Sequence, residues 1–223
     1  MKITFLGTGA ADWSVELHKN MKGFRRNSSA LIDDILLIDP GPAVADALSE
    51  FGKDKNAIKY IINTHKHSDH FSSDTLKYLD GAIFYDMTSG ETLQIGKYTV
   101  RALKANHATV SAAVHFIISD GEKNLFYGLD GAWLNYEEVA AIKECGIDLA
   151  VFDATSGKVG DFRIFEHNNL NMVIEMKAYL DPFIKKFFIS HMARILHDTH
   201  DILAENMKPY GIEVAFDGRE VEV

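Results

Sequence analysis

Through the first half of the chain the apolar positions fall into short runs, not long helical stripes. Residues 2–6 form a strand-like run that breaks at Gly7-Thr8-Gly9, and 10–28 is polar and irregular, the pattern of a long loop. Residues 29–33 and 35–39 predict paired strands about an Asp33-Asp34 turn, and Pro40-Gly41-Pro42 stops the second. Residues 43–51 have helical spacing, 58–62 read as a buried strand, and 73–79 as a helix with Ser72 or Ser73 near its N-cap. Short strands are predicted over 83–85, 91–95 and 97–103, then a hairpin over 112–119 and 124–129 about Asp120-Gly121.

The second half changes rhythm. Helices over 135–144, 170–180 and 199–208 alternate with strands over 148–152 and 186–190, and strands over 213–216 and 220–223 close the chain. Asp181-Pro182 ends the middle helix. Many short strands followed by strand–helix alternation predict an α/β fold: two mixed sheets packed together with helices outside, as one domain over 1–223.

Composition narrows the function classes. The 223 residues are 47% hydrophobic, enough for a large core. A net charge of -9 disfavours nucleic acid and anionic membrane as partners, although a local basic patch could still bind RNA. One cysteine, Cys145, leaves no internal disulfide and no Cys-rich zinc site. The N-terminal apolar run is too short for a signal peptide, and no apolar stretch is long enough to span a bilayer. The expectation is a soluble cytoplasmic protein.

The densest chemistry is His65-Lys66-His67-Ser68-Asp69-His70, directly after the buried strand. Three imidazoles and a carboxylate at a strand end are poor core material and good metal ligands. His65 and His67 can face one ion, and Asp69 and His70 a second. His107, Asp130 and His191 each follow another apolar run, where side chains gather at one rim of a sheet. Other residues compete less well. His115 lies inside an apolar strand pattern and reads as structural, and His197 and His200 stand near the start of the last helix. His18, Arg25 and Arg26 fall in the long loop and read as solvated.

This pattern resembles the metallo-β-lactamase fold superfamily over nearly the whole chain, which implies a four-layer αββα sandwich. The opening 1–9, Asn27-Ser28-Ser29-Ala30, Leu36-Leu37-Ile38-Asp39 and the closing Ala215-Phe216-Asp217-Gly218 resemble its ribonuclease Z-like and cyclic phosphodiesterase-like branch. The resemblance implies two divalent metal ions, zinc, manganese or iron. His65, His67 and His107 would hold the first, Asp69, His70 and His191 the second, and Asp130 would bridge them. A hydroxide between the ions would be the nucleophile, oriented by Asp69. In the same branch an Asp at a strand end and a His before a helix line the site. Asp153 fits the former, as support for a ligand, and His167 the latter, as a proton donor to the leaving oxygen.

The favoured activity is therefore hydrolysis of a small or cyclic phosphodiester. The alternatives are tRNA 3′-end processing, a lactonase or thioesterase of the same fold, and last a non-catalytic metal-binding module. No long Gly-rich, basic insertion offers a tRNA-gripping arm, and the net charge gives RNA no general attraction. Flavodiiron relatives place a carboxylate where His67 stands, so the histidine favours hydrolysis over redox chemistry. Some phosphonate-pathway relatives carry an additional Cys-containing zinc site, which a chain with only Cys145 cannot build. A homodimer is compatible with this reading.

Overall fold

The computed structural model describes residues 1–110, 112–160 and 165–223. In chain order the elements are β1 (Lys2–Gly7), α1 (Val15–His18), β2 (Ser29–Ile32), β3 (Leu36–Ile38), α2 (Val44–Glu50), β4 (Tyr60–Ile62), α3 (Ser73–Tyr78), β5 (Ile83–Tyr85), β6 (Thr92–Ile95), β7 (Tyr98–Lys104), β8 (Val114–Ser119), β9 (Asn124–Gly128), α4 (Tyr136–Cys145), β10 (Ile147–Asp153), α5 (Leu170–Leu180), β11 (Ile184–Ser190), α6 (His200–Met207), β12 (Ile212–Val214) and β13 (Glu220–Glu222). One sheet runs β13-β1-β2-β3-β4-β5 and the other β12-β11-β10-β9-β8-β7-β6. Both are mixed: β3, β4 and β5 pair in parallel in the first, and β9 to β12 in the second.

Local chemistry explains the pairings. The β2–β3 hairpin turns on Asp33 (φ 48°) and Asp34 (φ 61°), the doubly left-handed geometry that suits the twist of a tight hairpin. Asp33 also accepts from Lys2 N (2.6 Å) and from the Tyr98 hydroxyl (2.8 Å), tying the turn to β1 and across to the other sheet. Strands β10 and β11 have apolar runs without alternation because helices cover one face and the opposite sheet the other.

The layers follow from three apolar clusters. Ile3, Phe5, Ile38, Val100, Phe116, Tyr127, Val151 and Phe188 fill the space between the sheets. Val44, Ala47 and Leu48 of α2 cover the outer face of the first sheet, against Leu37 and Ile61. Ile142, Val173, Met176 and Leu203 of α4, α5 and α6 cover the second, against Phe152 and Phe187. This is the expected four-layer αββα sandwich. Each fully buried large side chain contributes roughly 1.5–3 kcal/mol, so the layers rest mainly on burial.

Three details depart from the sequence reading. The 10–28 loop contains α1, started by Ser14, whose side chain accepts from Leu17 N. Strand β8 begins at Val114, not at 112. Arg25 and Arg26 are buried, not solvated. Arg25 donates to Thr8 Oγ1 (2.6 Å) and Ala215 O (2.9 Å), while Arg26 pairs with Asp46, Glu50 and Asp217. Ala215 and Asp217 lie far along the chain, and they close the N-terminal loop onto the C-terminal segment. No helix among the described residues is long and apolar enough to cross a membrane.

Candidate metal centre

Strand ends deliver the site. The segment after β4 carries His65, His67, Asp69 and His70. His107 follows β7, Asp130 follows β9, Asp153 ends β10 and His191 follows β11. Asp39, Asp130 and His191 hold left-handed backbone at φ 61°, 57° and 61°. Such backbone costs roughly 1–3 kcal/mol per non-glycine residue and gathers at functional sites. Gly41 lets the chain after β3 approach the ligand turn closely, because a Cβ there would sit 2.2 Å from the Asp69 carbonyl oxygen.

The ligand-type atoms converge in groups, each within 4.8 Å: His65, His67 and His107; Asp69, His70, Asp130 and His191; and Asp130, Asp153, His167 and His191. Asp130 faces the first two. Its Oδ2 is 3.9 Å from His65 Nε2, 3.1 Å from His191 Nε2 and in close contact with His70 Nε2. Its Oδ1 is 4.0 Å from His107 Nε2 and 3.5 Å from His167 Nδ1. Every sequence-predicted site residue is therefore in one cluster.

Hydrogen bonds on the far side of three rings fix which nitrogen is free. His70 Nδ1 donates to Asp39 Oδ2 (2.8 Å). His107 Nδ1 donates to the Glu166 carbonyl (3.1 Å). His191 Nδ1 lies 2.6 Å from Thr155 Oγ1, which can accept from the ring while donating to Asp153 Oδ2 at 2.9 Å. Each Nε2 then points a lone pair inward. The Nε2 atoms of His70 and His191 face each other at 3.1 Å, and His107 Nε2 faces His67 Nδ1 at 3.3 Å. Lone pairs so placed repel unless a proton or a cation lies between them. His65 Nε2 is buried without a hydrogen-bond partner. Both observations, and the mixed nitrogen and oxygen donors, fit bound divalent metal.

Electrostatics agree. Burial, helped by the neighbouring His70, pushes His65 down to about 2, so it stays neutral and able to ligate. Burial alone would raise the Asp130 carboxyl, but His191 and His70 outweigh it and hold Asp130 well below the ordinary range. Burial opposes charge on His70 and His191 too, yet Asp130 raises both well above the usual imidazole value. Buried carboxylates at Asp39, Asp69, Asp130 and Asp153 demand positive charge here.

Asp153 has both carboxylate oxygens engaged. Oδ1 accepts from Thr155 N and Asn168 N, both 3.0 Å, and Oδ2 from Thr155 Oγ1 and His167 Nδ1 (3.0 Å). With its oxygens so occupied it is poorly placed to ligate. His167 is half-buried beside it. Burial lowers the His167 value, but Asp153 reverses this and leaves it raised. The sequence reading missed Asp39, Thr155 and Glu166. Asp39 had a legible signal, since it too ends a strand, ahead of Pro40-Gly41-Pro42. Asp39 Oδ1 accepts from Thr64 N (2.7 Å), Thr64 Oγ1 (2.9 Å) and Asn63 Nδ2 (2.9 Å). His115 lies outside this cluster, buried against Glu138. His197 donates to Ala154 O, and His200 is the first residue of α6. Among the described residues a cavity of about 510 Å³ opens over the cluster, lined by His67, Asp69, His107, His167, Ile195 and Leu196 among others.

Residues 23–74 match the model of the Metallo-beta-lactamase superfamily. No curated protein matches the chain. Among solved structures it is similar to the metallo-beta-lactamase fold protein YhfI from Bacillus subtilis, with TM-score 0.78 and 17% identity over 100% of this chain and 99% of that one. A diphosphatase from the PhnP family gives 0.77 and 17% over 100% and 97%. Human tRNase Z, short form, gives 0.69 and 15% over 100% and 99%. At such identities the likeness is one of fold.

Proposed function

We propose that this chain, which has the metallo-β-lactamase fold, is a two-metal hydrolase of a small or cyclic phosphodiester. His65, His67 and His107 would hold one divalent ion, Asp69, His70 and His191 the other, with Asp130 shared between them. Zinc, manganese or iron suits these donors. When bound, such ions lower the pKa of water to about 7 and polarise a phosphoryl oxygen.

The chain's own groups supply the rest. Asp69, with Oδ2 3.3 Å from His70 Nε2 and 3.5 Å from His191 Nε2, is placed to orient the attacking water. Burial would raise its carboxyl, but His70 and His191 keep it ionised and accepting. His167 holds its Nδ1–H on Asp153 and reaches the cavity, so its raised value keeps a proton ready for the leaving oxygen. That observation carries phosphoryl transfer over a closed structural metal site. The cavity size and the net charge of -9 favour a small substrate over tRNA. The diphosphatase among the structural neighbours supports phosphoryl chemistry.

The test is metal-dependent hydrolysis of bis-p-nitrophenyl phosphate, expected in the wild type and lost in His67→Ala and Asp130→Ala. Activity surviving both changes moves the site elsewhere. A parallel panel of 2′,3′-cyclic nucleotides, cyclic ribose phosphates, precursor tRNA, a lactone and a thioester decides the substrate class. Highest turnover on the last three would overturn the phosphodiester reading.

A further inference from the structure

A second titratable pair lies buried behind the metal centre and takes no part in the chemistry above. His115 in β8 and Glu138 in α4 are both fully buried, with Nδ1 2.5 Å from Glu138 Oε1. The other Glu138 oxygen accepts from Asn135 N (2.7 Å) at the start of α4. The Asn135 side chain in turn donates to Lys104 O (2.8 Å) at the end of β7. Glu138 is thus fixed by the helix start, and it fixes the imidazole.

The opposite edge of the ring meets the chain just after Asp130. A Cβ at Gly131 would lie 2.5 Å from His115 Cε1 and 2.6 Å from Nε2. Gly131 is outside the left-handed region, so its backbone would tolerate a side chain. It is the imidazole that forbids one. On the other side, Ala132 N donates to Asn106 O (3.0 Å), and Asn106 Nδ2 donates to Trp133 O (3.1 Å). Residues 130–133 are therefore held between the His107 loop and the His115 ring, while Asp130 keeps its left-handed backbone.

A buried ion pair is weak support for stability, since a well-packed apolar pair of similar volume often does as well. What it adds is a ring with one fixed orientation. We infer that the His115–Glu138 pair is a positioning device that braces Gly131 and so sets where Asp130 points. The inference rests on the reading of Asp130 as the shared metal ligand. His115 and Glu138 are positioning residues that act through the 130–132 backbone.

The experiment is Zn²⁺ affinity, by competition with a chromophoric chelator, for wild type, Gly131→Ala, His115→Ala and the double variant. Thermal midpoints of the metal-free chains are measured alongside. Supports behind metal ligands typically change affinity by about 10–100-fold, and Gly131→Ala is expected to weaken Zn²⁺ binding by that much. His115→Ala removes the brace and should weaken Zn²⁺ binding likewise, and because both changes act through one contact their losses should not add in the double variant. Wild-type affinity in His115→Ala overturns the brace. So does a fall in midpoint with unchanged Zn²⁺ affinity, which marks a merely structural pair. Should His115→Ala not fold, Gly131→Ala and Glu138→Gln decide the matter: both must bind Zn²⁺ more weakly, and wild-type affinity in either overturns the inference. A wild type that binds no Zn²⁺ instead overturns the metal reading beneath it.

Discussion

Replacing Asp39 by Asn changes one group in a fully buried network and should cost a metal ion. The remaining amide oxygen can still accept from Thr64 N, Thr64 Oγ1 and Asn63 Nδ2, as Oδ1 does now. The new NH₂ then stands where Oδ2 accepted from His70 Nδ1 at 2.8 Å. Two donors cannot share that line. His70 must carry its proton on Nε2 instead, which points it at Asp130 and removes the inward lone pair. The lost charge-assisted hydrogen bond costs about 2–3 kcal/mol. For a chain of this size that lowers the melting temperature by roughly 4–12 °C. Affinity at the Asp69, His70 and His191 position should fall by about 10–100-fold. The His65, His67 and His107 position should keep its ion. Calorimetric metal titration of Asp39→Asn beside wild type reads both steps. Two binding steps with unchanged affinities would refute the argument that Asp39 sets the His70 tautomer.

Further outcomes follow from the charges. The Asp153 carboxylate raises His167 against the effect of burial, so a proton-donating His167 is fully active below its raised value and fades as pH rises through it. The alkaline limb of kcat/KM should lie above about 6.5 in wild type and vanish in His167→Ala, with turnover down about 10²-fold or more and metal content intact. Metal loss in that variant would make His167 a ligand. Asp148 sits by Lys185, Lys123 and Asn124 N, which overcome burial and hold it at about 2. Its contribution to stability is complete above its unfolded value of about 3.9 and is lost as pH falls through about 2. Thermal melts of Asp148→Asn should fall below wild type at pH 7 and converge with it near pH 2; a gap that persists in acid contradicts the linkage.

The histidine and aspartate cluster was legible because its residue types are costly in a core and each stands at the end of an apolar run. The same reasoning placed β1, β4, β10 and β11, whose patterns are continuous and apolar, to within a few residues. What escaped depends on partners distant in sequence. Arg26 meets Asp217 across 191 positions, and nothing local in a polar loop marks it for burial. Asp39 reads as a strand end until folding brings His70 against it. The His115 ring reads as ordinary core, and its bearing on Asp130 appears only through Gly131, where the missing Cβ leaves room for it. Boundaries drifted where a strand start lacks turn residues, as at 112–113 before β8.

The central claim is that two clusters sharing Asp130 each hold a metal ion. Its most direct test is elemental analysis of the chain purified in turn with zinc, manganese and iron. The account predicts about two ions per chain with at least one of them, as two-metal hydrolytic sites hold. Fewer than one ion per chain with every metal would contradict it.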